Sequence, residues 1–209
     1  DIKLPGLLQG AILRSPYAHA RIKSIDTSAA KALAGVSAVI TSADFPGAHD
    51  TLIDLGEGAI NFRYASNNVM AGDKVLYKGH ALAGVAAINP HIAEEALKLI
   101  EVEYQPLPSV TNVEDSIREN APLLHHHLMT DDLGEKAKTA SNIAKHFRFL
   151  KGNPEQAFDK ADVVKEREFR TASVHQGYIE THNSTARWAS DGHITIWCST
   201  QGSFEVRSL

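Results

Sequence analysis

The chain is poor in cysteine, with Cys198 as its only one among 209 residues. A single cysteine excludes an internal disulfide framework, and it excludes an iron–sulfur cluster or a cysteine-based zinc site held by this chain alone. It favours a reducing compartment such as the cytoplasm, and it leaves the periplasm open.

A basic surface and a long apolar run are also missing. The formal net charge is −4 and the cationic residues form no stripe, which argues against nucleic acid as a partner. No apolar run approaches the about 20 residues that cross a bilayer, and no glycine-rich turn of the dinucleotide-binding kind follows a strand. A hydrophobic content of 43% with 22% charged residues nevertheless predicts a folded chain of one domain or two smaller ones.

Both ends of the sequence have the features of a fragment. The chain begins at Asp1 rather than at a methionine, it has no charged and apolar leader, and its first residues have the composition of a turn. We therefore expect these residues to be a piece of a longer polypeptide.

Residues 7–108 alternate strand and helix signals, which is the pattern of an α/β fold. Asn89 and Pro90 predict the start of a helix, because asparagine caps helices and proline suits their first position. The other predicted elements are strands at 8–14, 21–25, 36–41 and 100–104, a helix at 28–33 ending before Gly35, a loop at 50–70, and a buried strand pair within 72–88.

Residues 109–150 lose this regularity and are interpreted as a surface connector. In residues 151–209 the Asp191-Gly192 pair predicts a hairpin turn, since such pairs adopt the positive φ angles that tight hairpins require. The remaining predictions are a helix to Ala161 capped by Asn153, a strand at 162–171, hairpin strands at 184–189 and 193–198, and a helix from Phe204 capped by Ser203.

Gln201 is the strongest candidate for a functional side chain. A strand of alternating β-branched and aromatic residues leads into Gln201 and Gly202, so a neutral carboxamide is delivered at a strand's end, where α/β proteins often hold ligands. Taken alone, a glutamine at this position is more often a polar strand end than a ligand contact, and only the surrounding motifs reverse that order.

Five motifs, in order and over nearly the whole chain, carry a resemblance to a known family. They are residues 13–22 (LRSPYAHARI), 77–87 (YKGHALAGVAA), 93–96 (AEEA) with 101–108 (EVEYQPLP), 179–182 (IETH), and 199–201 (STQ). Together they resemble the molybdenum hydroxylases, which comprise xanthine dehydrogenases, aldehyde oxidoreductases and aerobic carbon monoxide dehydrogenases.

The resemblance implies an α/β-hammerhead domain at residues 1–108, a connector at 109–150, and the beginning of the first molybdopterin-binding domain at 151–209. It implies an oxidoreductase that hydroxylates an aldehyde, N-heterocycle or similar small substrate with water-derived oxygen at a molybdenum–pterin cofactor. Gln201 would hydrogen-bond an oxygen ligand of the metal, and Gln201 with Gly202 would contact the cofactor.

The same resemblance implies partners. Electrons would pass to iron–sulfur and FAD centres on partner subunits or fused domains, in a hetero-oligomeric, dimeric parent protein. The family's glycine-rich cofactor loop and catalytic glutamate lie downstream of the STQ motif, so the chain alone is expected to be inactive. Two departures, His80 where many relatives have Gln or Glu and Thr181 where many have proline, leave subfamily and substrate open.

Two other classes of function stay open. One is a non-catalytic assembly or docking module of a split or degenerate family member. The other is an unrelated hydrolase with a metal on His175, Glu180 and His182, although an extended segment makes Glu180 and His182 a better buried hydrogen-bonded pair.

Four further features have a plain structural interpretation. The residues are expected to act in packing, in a subunit contact or in solvation rather than in chemistry. They are Cys198 as a small core residue, Arg14 and His19 in packing or a subunit contact, and His125–His127 as part of a solvated linker.

Overall fold

The computed structural model describes residues 2–45, 51–54 and 59–208. The chain forms two compact units, one of residues 1–109 with 182–209 and the other of residues 110–181. The strands are β1 (Gln9–Arg14), β2 (Ala20–Asp26), β3 (Val36–Thr41), β4 (Leu52–Asp54), β5 (Ala59–Asn61), β6 (Lys74–Val75), β7 (Ala81–Ala87), β8 (Glu101–Pro106), β9 (Asp131–Asp132), β10 (Glu135–Lys136), β11 (Lys145–His146), β12 (Ser184–Trp188) and β13 (Ile194–Cys198). The helices are α1 (Ser28–Ala32), α2 (Phe62–Val69), α3 (Pro90–Lys98), α4 (Val113–Ser116), α5 (Pro154–Asp159) and α6 (Ser203–Ser208), with a 3-10 helix at Ser42–Asp44. The predicted α/β class is confirmed.

Strand β7 is the centre of the first sheet, whose order is β1-β7-β3 with antiparallel neighbours on both sides. All its residues are small or aliphatic, and six of the seven positions are buried. Gly84 lies opposite Ile12 on one side and Ile40 on the other. A Cβ at Gly84 would be 3.2 Å from Ile40 Cγ1 and 3.5 Å from Ile12 Cδ1, so the two isoleucines close over the glycine.

Helix α3 packs against β1, β7 and β3 and covers one face of this sheet. It begins as predicted, because the Asn89 side chain accepts a hydrogen bond from the Ile92 amide at 2.9 Å and Pro90 takes the first helical position. Its small residues Ala93 and Ala96 are buried in the first core cluster, which lets the helix approach the sheet closely.

The second sheet has the order β6-β2-β8, again with antiparallel neighbours. Its core cluster contains Ala20, Ala71 and Val75 together with Leu82 from β7, so β7 contributes to both cores. The prediction that two strands within residues 72–88 pair with each other is therefore wrong. Two strands are present, but β6 joins β2 while β7 joins β1 and β3.

The predicted loop at residues 50–70 is also wrong where the structure describes it. Residues 50 and 55–58 lie outside the described residues, but the remainder forms the β4–β5 hairpin and helix α2. Asn61 caps this helix by accepting a hydrogen bond from the Arg63 amide at 3.1 Å. A helix of eight residues has little stability by itself, so α2 depends on contacts with the rest of the fold.

The unit of residues 110–181 is held in part by one half-buried side-chain amide. Asn142 donates from Nδ2 to the carbonyls of Ser116 and Pro122, at 3.1 and 3.0 Å, and its Oδ1 accepts from the Leu124 amide at 3.1 Å. Whether residues 109–150 act as a connector and residue 151 opens a domain stays a prediction.

The strand predicted at residues 162–171 is absent, and this segment has no regular structure. Its apolar side chains find no partner strand, as Phe169 is 87% exposed. Arg170 instead makes ion pairs with Glu168 and Glu114 at 2.6 and 3.1 Å. Val163, Val164 and Phe169 therefore do not make a strand where no neighbouring strand completes the hydrogen bonds.

The hairpin of β12 and β13 is confirmed. Gly192 has a φ of 87°, the Ala189 amide donates to the His193 carbonyl at 2.8 Å, and Asp191 accepts from the His193 amide at 3.0 Å. Helix α6 follows, although Ser203 is its first residue and not its cap.

Gly35 offers a test of the first core. Its φ is 91°, and a Cβ there would be 2.8 Å from Ile92 Cδ1 and 3.1 Å from Ile88 Cδ1. Gly35→Ala should lower the free energy of unfolding by about 1–3 kcal/mol in urea denaturation, because a side chain is strained at positive φ.

Gly72→Ala is the matched control. This glycine has no positive φ, and a Cβ added to it would meet nothing within 4 Å, so its substitution should change stability by no more than about 0.5–1 kcal/mol. Equal effects at Gly35 and Gly72 would contradict the packing described here.

Candidate functional site

Gln201 lies in the four-residue junction between the end of β13 at Cys198 and the start of α6 at Ser203. Its side chain is exposed, and no described residue hydrogen-bonds to its carboxamide. Gly202 is half-buried, and its amide donates to Thr200 Oγ1 at 3.1 Å. Gly202 therefore offers no free N–H group to a ligand. It offers space, because it has no side chain.

A clasp between Asn183 and Ser199 fixes the position of this junction. The Ser199 amide donates to the Asn183 carbonyl at 3.0 Å, and the Asn183 amide donates to Ser199 Oγ at 3.0 Å. Ser199 Oγ also donates to the Asn183 carbonyl at 3.3 Å. Because Asn183 directly follows His182, the clasp joins the chain next to the 179–182 motif to the 199–201 motif.

The donor set at this junction suits a neutral hydrogen bond to a cofactor. A carboxamide both donates and accepts, and it adds no charge and does not titrate. The described chain leaves the amide of Gln201 without a partner, so it is available to an oxygen of a bound group. The residues present therefore fit one contact to a molybdenum–pterin cofactor.

A metal site on protein side chains receives no such support. Within the described ranges, no group of three or more His, Cys, Asp and Glu is arranged to hold a metal ion. His175 accepts a hydrogen bond from the Gly177 amide at 2.9 Å through Nδ1. Glu180 and His182 are both exposed in a segment without regular structure, so the predicted buried pair is wrong.

Cys198 is exposed, so the predicted core position is wrong as well. It belongs to the two-stranded sheet of β12 and β13, and the side chains on the same face of that sheet as Cys198 are all exposed. Apolar residues on one face of a strand are buried only when another layer of the protein covers that face. The rings of His125 and His127 meet edge to face at 6.2 Å, with His126 and His127 exposed, in agreement with a solvated segment.

Comparisons with known proteins match both parts of the chain. The family model described as "Aldehyde oxidase and xanthine dehydrogenase, a/b hammerhead domain" matches residues 1–108, and the model described as "Molybdopterin cofactor-binding domain" matches residues 135–209. The chain belongs to the aldehyde oxidase and xanthine dehydrogenase family, the molybdenum hydroxylases.

Individual relatives agree with this assignment. The carbon monoxide dehydrogenase large chain of Afipia carboxidovorans is 36% identical over 100% of this chain and 26% of its own length. A probable xanthine dehydrogenase subunit of Bacillus subtilis is 34% identical over 99% of this chain and 25% of its own length. The solved quinoline 2-oxidoreductase of Pseudomonas putida superimposes with a TM-score of 0.75 at 29% identity, over 96% of this chain and 24% of that one. The chain thus spans about a quarter of the length of these relatives.

In the hammerhead domain, His80 and Tyr77 form a cap on helix α2 that the sequence does not reveal. His80 Nε2 lies 2.9 Å from the Asn67 carbonyl, and Tyr77 Oη donates to the Asn68 carbonyl at 2.9 Å. These carbonyls belong to the last turn of α2. Backbone carbonyls in the last turn of a helix have no hydrogen-bond donor within the helix. The two rings stack at 4.4 Å.

The protonation state of His80 follows from its partners. Nδ1 accepts a hydrogen bond from the Leu76 amide at 3.2 Å, so the proton of the neutral ring is on Nε2, which donates to Asn67. His80 is fully buried. Burial lowers the pKa of His80 below its ordinary value of 6.5, because a charged ring would lose its hydration.

The same loop connects two of the sequence motifs. The Ser15 amide donates to the His80 carbonyl and the Gly79 amide donates to the Ser15 carbonyl, both at 2.9 Å. Arg14 Nη1 also donates to the Gly79 carbonyl at 2.9 Å. His19, in the same motif, binds the Pro108 carbonyl through Nδ1 at 2.6 Å. Both predicted packing residues thus make contacts within the hammerhead domain.

Stability should depend on pH through His80. Since the pKa is lowered in the folded state, the contribution of the neutral ring is fully present above pH 6.5 and is lost as pH falls from there through the folded-state pKa. We expect the free energy of unfolding of the chain to fall between pH 7.5 and pH 5, and to fall less in His80→Gln, which does not titrate. Urea denaturation at both pH values measures this difference.

The exposed His91 in α3 provides the matched control. His91→Gln should retain the wild-type fall in stability. If the free energy of unfolding of His80→Gln fell as much between pH 7.5 and pH 5 as that of the wild type, His80 would not be the source of the pH dependence.

Proposed function

We propose that the intact polypeptide containing residues 1–209 is the large, molybdopterin-binding subunit of a molybdenum-dependent oxidoreductase. It hydroxylates an aldehyde, N-heterocycle or similar small substrate with water-derived oxygen. Family membership supports this proposal, and the single observation that carries it to the site is the exposed carboxamide of Gln201, which has no partner among the described residues.

Each residue of the junction has a distinct role in this proposal. Gln201 hydrogen-bonds an oxygen of the bound cofactor and orients it. Gly202 admits the cofactor because it has no side chain, and the Asn183–Ser199 clasp holds the strand end in place. When bound, the molybdenum–pterin cofactor supplies the two-electron oxidation chemistry.

The remaining centres lie elsewhere in the complex. An iron–sulfur cluster needs several cysteines, and the chain has one. We therefore place the iron–sulfur clusters and FAD on partner subunits or on fused domains, in a cytoplasmic hetero-oligomer that also dimerises. Within the described residues no helix is long and apolar enough to cross a bilayer.

The domain assignment completes the proposal. Residues 1–108 form the hammerhead domain, residues 109–150 connect it to the next domain, and residues 151–209 begin the first molybdopterin-binding domain. The match of the hammerhead family model to residues 1–108 supports the first of these limits.

The isolated chain should bind no stoichiometric molybdopterin and show no turnover. One carboxamide contact cannot hold a cofactor whose affinity depends on many simultaneous contacts. Metal and pterin analysis of the purified 209-residue chain tests this expectation. Stoichiometric cofactor in that preparation would contradict it.

In the intact protein, Gln201→Ala should leave folding and molybdenum content unchanged and slow the reduction of the metal centre by substrate. The side chain is exposed, so its removal leaves no cavity, but it deletes a hydrogen bond to the cofactor. Such a bond contributes about 0.5–1.5 kcal/mol in general and up to about 4 kcal/mol when it forms mainly in the transition state, so a loss between a few-fold and about 10³-fold is expected. The loss should appear in kcat more than in KM.

Stopped-flow reduction of the fully loaded enzyme measures this rate. Gln156→Ala, which removes an exposed carboxamide from α5, is the matched control and should react at the wild-type rate. An unchanged rate in Gln201→Ala would show that Gln201 is only a polar strand end.

A further inference from the structure

The last turn of α2 is held from outside the helix. No side chain of α2 is buried, and those of Asn67, Asn68 and Val69 in its last turn are exposed. Two backbone carbonyls of this turn are bound by side chains of the loop before β7. His80 Nε2 donates to the Asn67 carbonyl and Tyr77 Oη donates to the Asn68 carbonyl, both at 2.9 Å. The last turn therefore depends on these two hydrogen bonds more than on burial.

The surroundings of the His80 ring accept one proton and not two. The Leu76 amide donates to Nδ1 at 3.2 Å, so Nδ1 is the unprotonated nitrogen, and the proton on Nε2 is bonded to Asn67. A second proton would go to Nδ1, where it would face the Leu76 N–H group, so that one donor would oppose another. The ring is fully buried, so water cannot replace the lost hydrogen bond while the ring stays in its site. The charged ring therefore becomes hydrated only when it leaves that site.

The elements around His80 provide little to stabilise a positive charge on the ring. Their titratable and charged side chains are Arg14 of β1, Arg63 and Tyr64 of α2, Asp73 and Lys74 at the start of β6, and Tyr77 and Lys78 of the loop. The one acid in this set, Asp73, interacts with Lys74. Burial is the main cause that lowers the pKa of His80, and the carbonyls of Asn67 and Asn68 oppose this shift.

The opposite side of the loop is anchored without the ring. The Ser15 amide donates to the His80 carbonyl and the Gly79 amide donates to the Ser15 carbonyl, both at 2.9 Å. The Ala71 amide, after the helix, donates to the Ala81 carbonyl at 2.8 Å. These bonds join backbone groups, so they persist when the imidazole is protonated. A change at the ring is therefore confined to the ring and the end of α2.

We propose that His80 is an acid-sensitive latch on α2. A proton on Nδ1 makes the ring leave its site and releases the last turn of the helix, while β7 and both core clusters stay folded. The hydrogen bond to Asn67 forms again when the ring becomes neutral. This latch lies within the hammerhead domain and does not depend on the proposed function.

Exchange of the Leu76 amide measures the latch directly, because the acceptor of this amide is Nδ1. Hydrogen–deuterium exchange of the 209-residue chain, followed by NMR and corrected for the intrinsic rate at each pH, gives its protection factor. The lowered pKa means that protection by the neutral ring is complete above pH 6.5 and is lost as pH falls from there through the folded-state pKa. The protection of Leu76 should therefore fall about tenfold between pH 7.5 and pH 5, and the amides of Asn67, Asn68 and Val69 should follow it.

Urea separates this local opening from global unfolding. Opening of one helical turn exposes little surface, so exchange of Leu76 at pH 5 should be the same in water and in about 1 M urea. The amides of β7 exchange through global unfolding, which exposes much more surface, so urea should accelerate their exchange.

Two substitutions in the loop give the matched comparison. His80→Gln should abolish the pH dependence of Leu76 exchange, because glutamine does not titrate. Tyr77→Phe removes the hydrogen bond to Asn68 at every pH, so it should speed exchange of the last turn by a similar factor at pH 7.5 and pH 5 and keep the pH dependence of Leu76. If His80→Gln does not fold, the wild type decides. The fall in Leu76 protection should then level off at the pH at which the NMR signals of the His80 ring titrate.

Three results would overturn the proposal. Exchange of Leu76 that depends on urea as steeply as that of β7 would assign the pH effect to global unfolding. Equal protection of Leu76 at both pH values would show that the ring accepts the proton in its site. A pH dependence that remains in His80→Gln would assign the effect to another group.

Discussion

The pairing of β7 with β1 and β3 is the constraint on which the hammerhead domain depends. Its small residues allow close packing on both edges and against α3, and among the described strands it is the one with buried side chains in both core clusters. The two sheets are joined through this strand and the loop before it, where His80 and Tyr77 satisfy the last turn of α2. Loss of β7 would remove the centre of the first sheet and take Leu82 from the second core.

The candidate site has no comparable support within the described part of the chain. Gln201 follows a two-stranded hairpin with an open apolar face, and the anchor beside it is the Asn183–Ser199 clasp. The hammerhead domain contains its own core, whereas no described residue hydrogen-bonds to the carboxamide of Gln201. This division agrees with a chain that spans about a quarter of its relatives.

The sequence predicted those elements whose causes are local. Asn89 with Pro90 starts α3, and Asp191 with Gly192 forms the hairpin turn, because both depend on the conformations of adjacent residues. The α/β class followed from the alternating patterns, and the family followed from the motifs.

Predictions failed where the cause is distant or outside the chain. Helix α2 ends against His80 and Tyr77, which lie 13 and 9 residues beyond the carbonyls they bind, so no local pattern reveals the cap. The segment 162–171 was predicted as a strand, but it is rich in charged residues and has no regular structure. Cys198 was predicted as a small core residue because no cationic neighbour in the sequence marks it as a nucleophile, but it is exposed.

The hammerhead domain should be stable by itself, whereas the segment leading to Gln201 should not be. Hydrogen–deuterium exchange of the 209-residue chain tests this most directly. The amides of β7 should exchange slowest, at the rate of global unfolding, and the amides of β12 and β13 should exchange at least about 10²-fold faster. Exchange of the hairpin as slow as that of β7 would contradict the account.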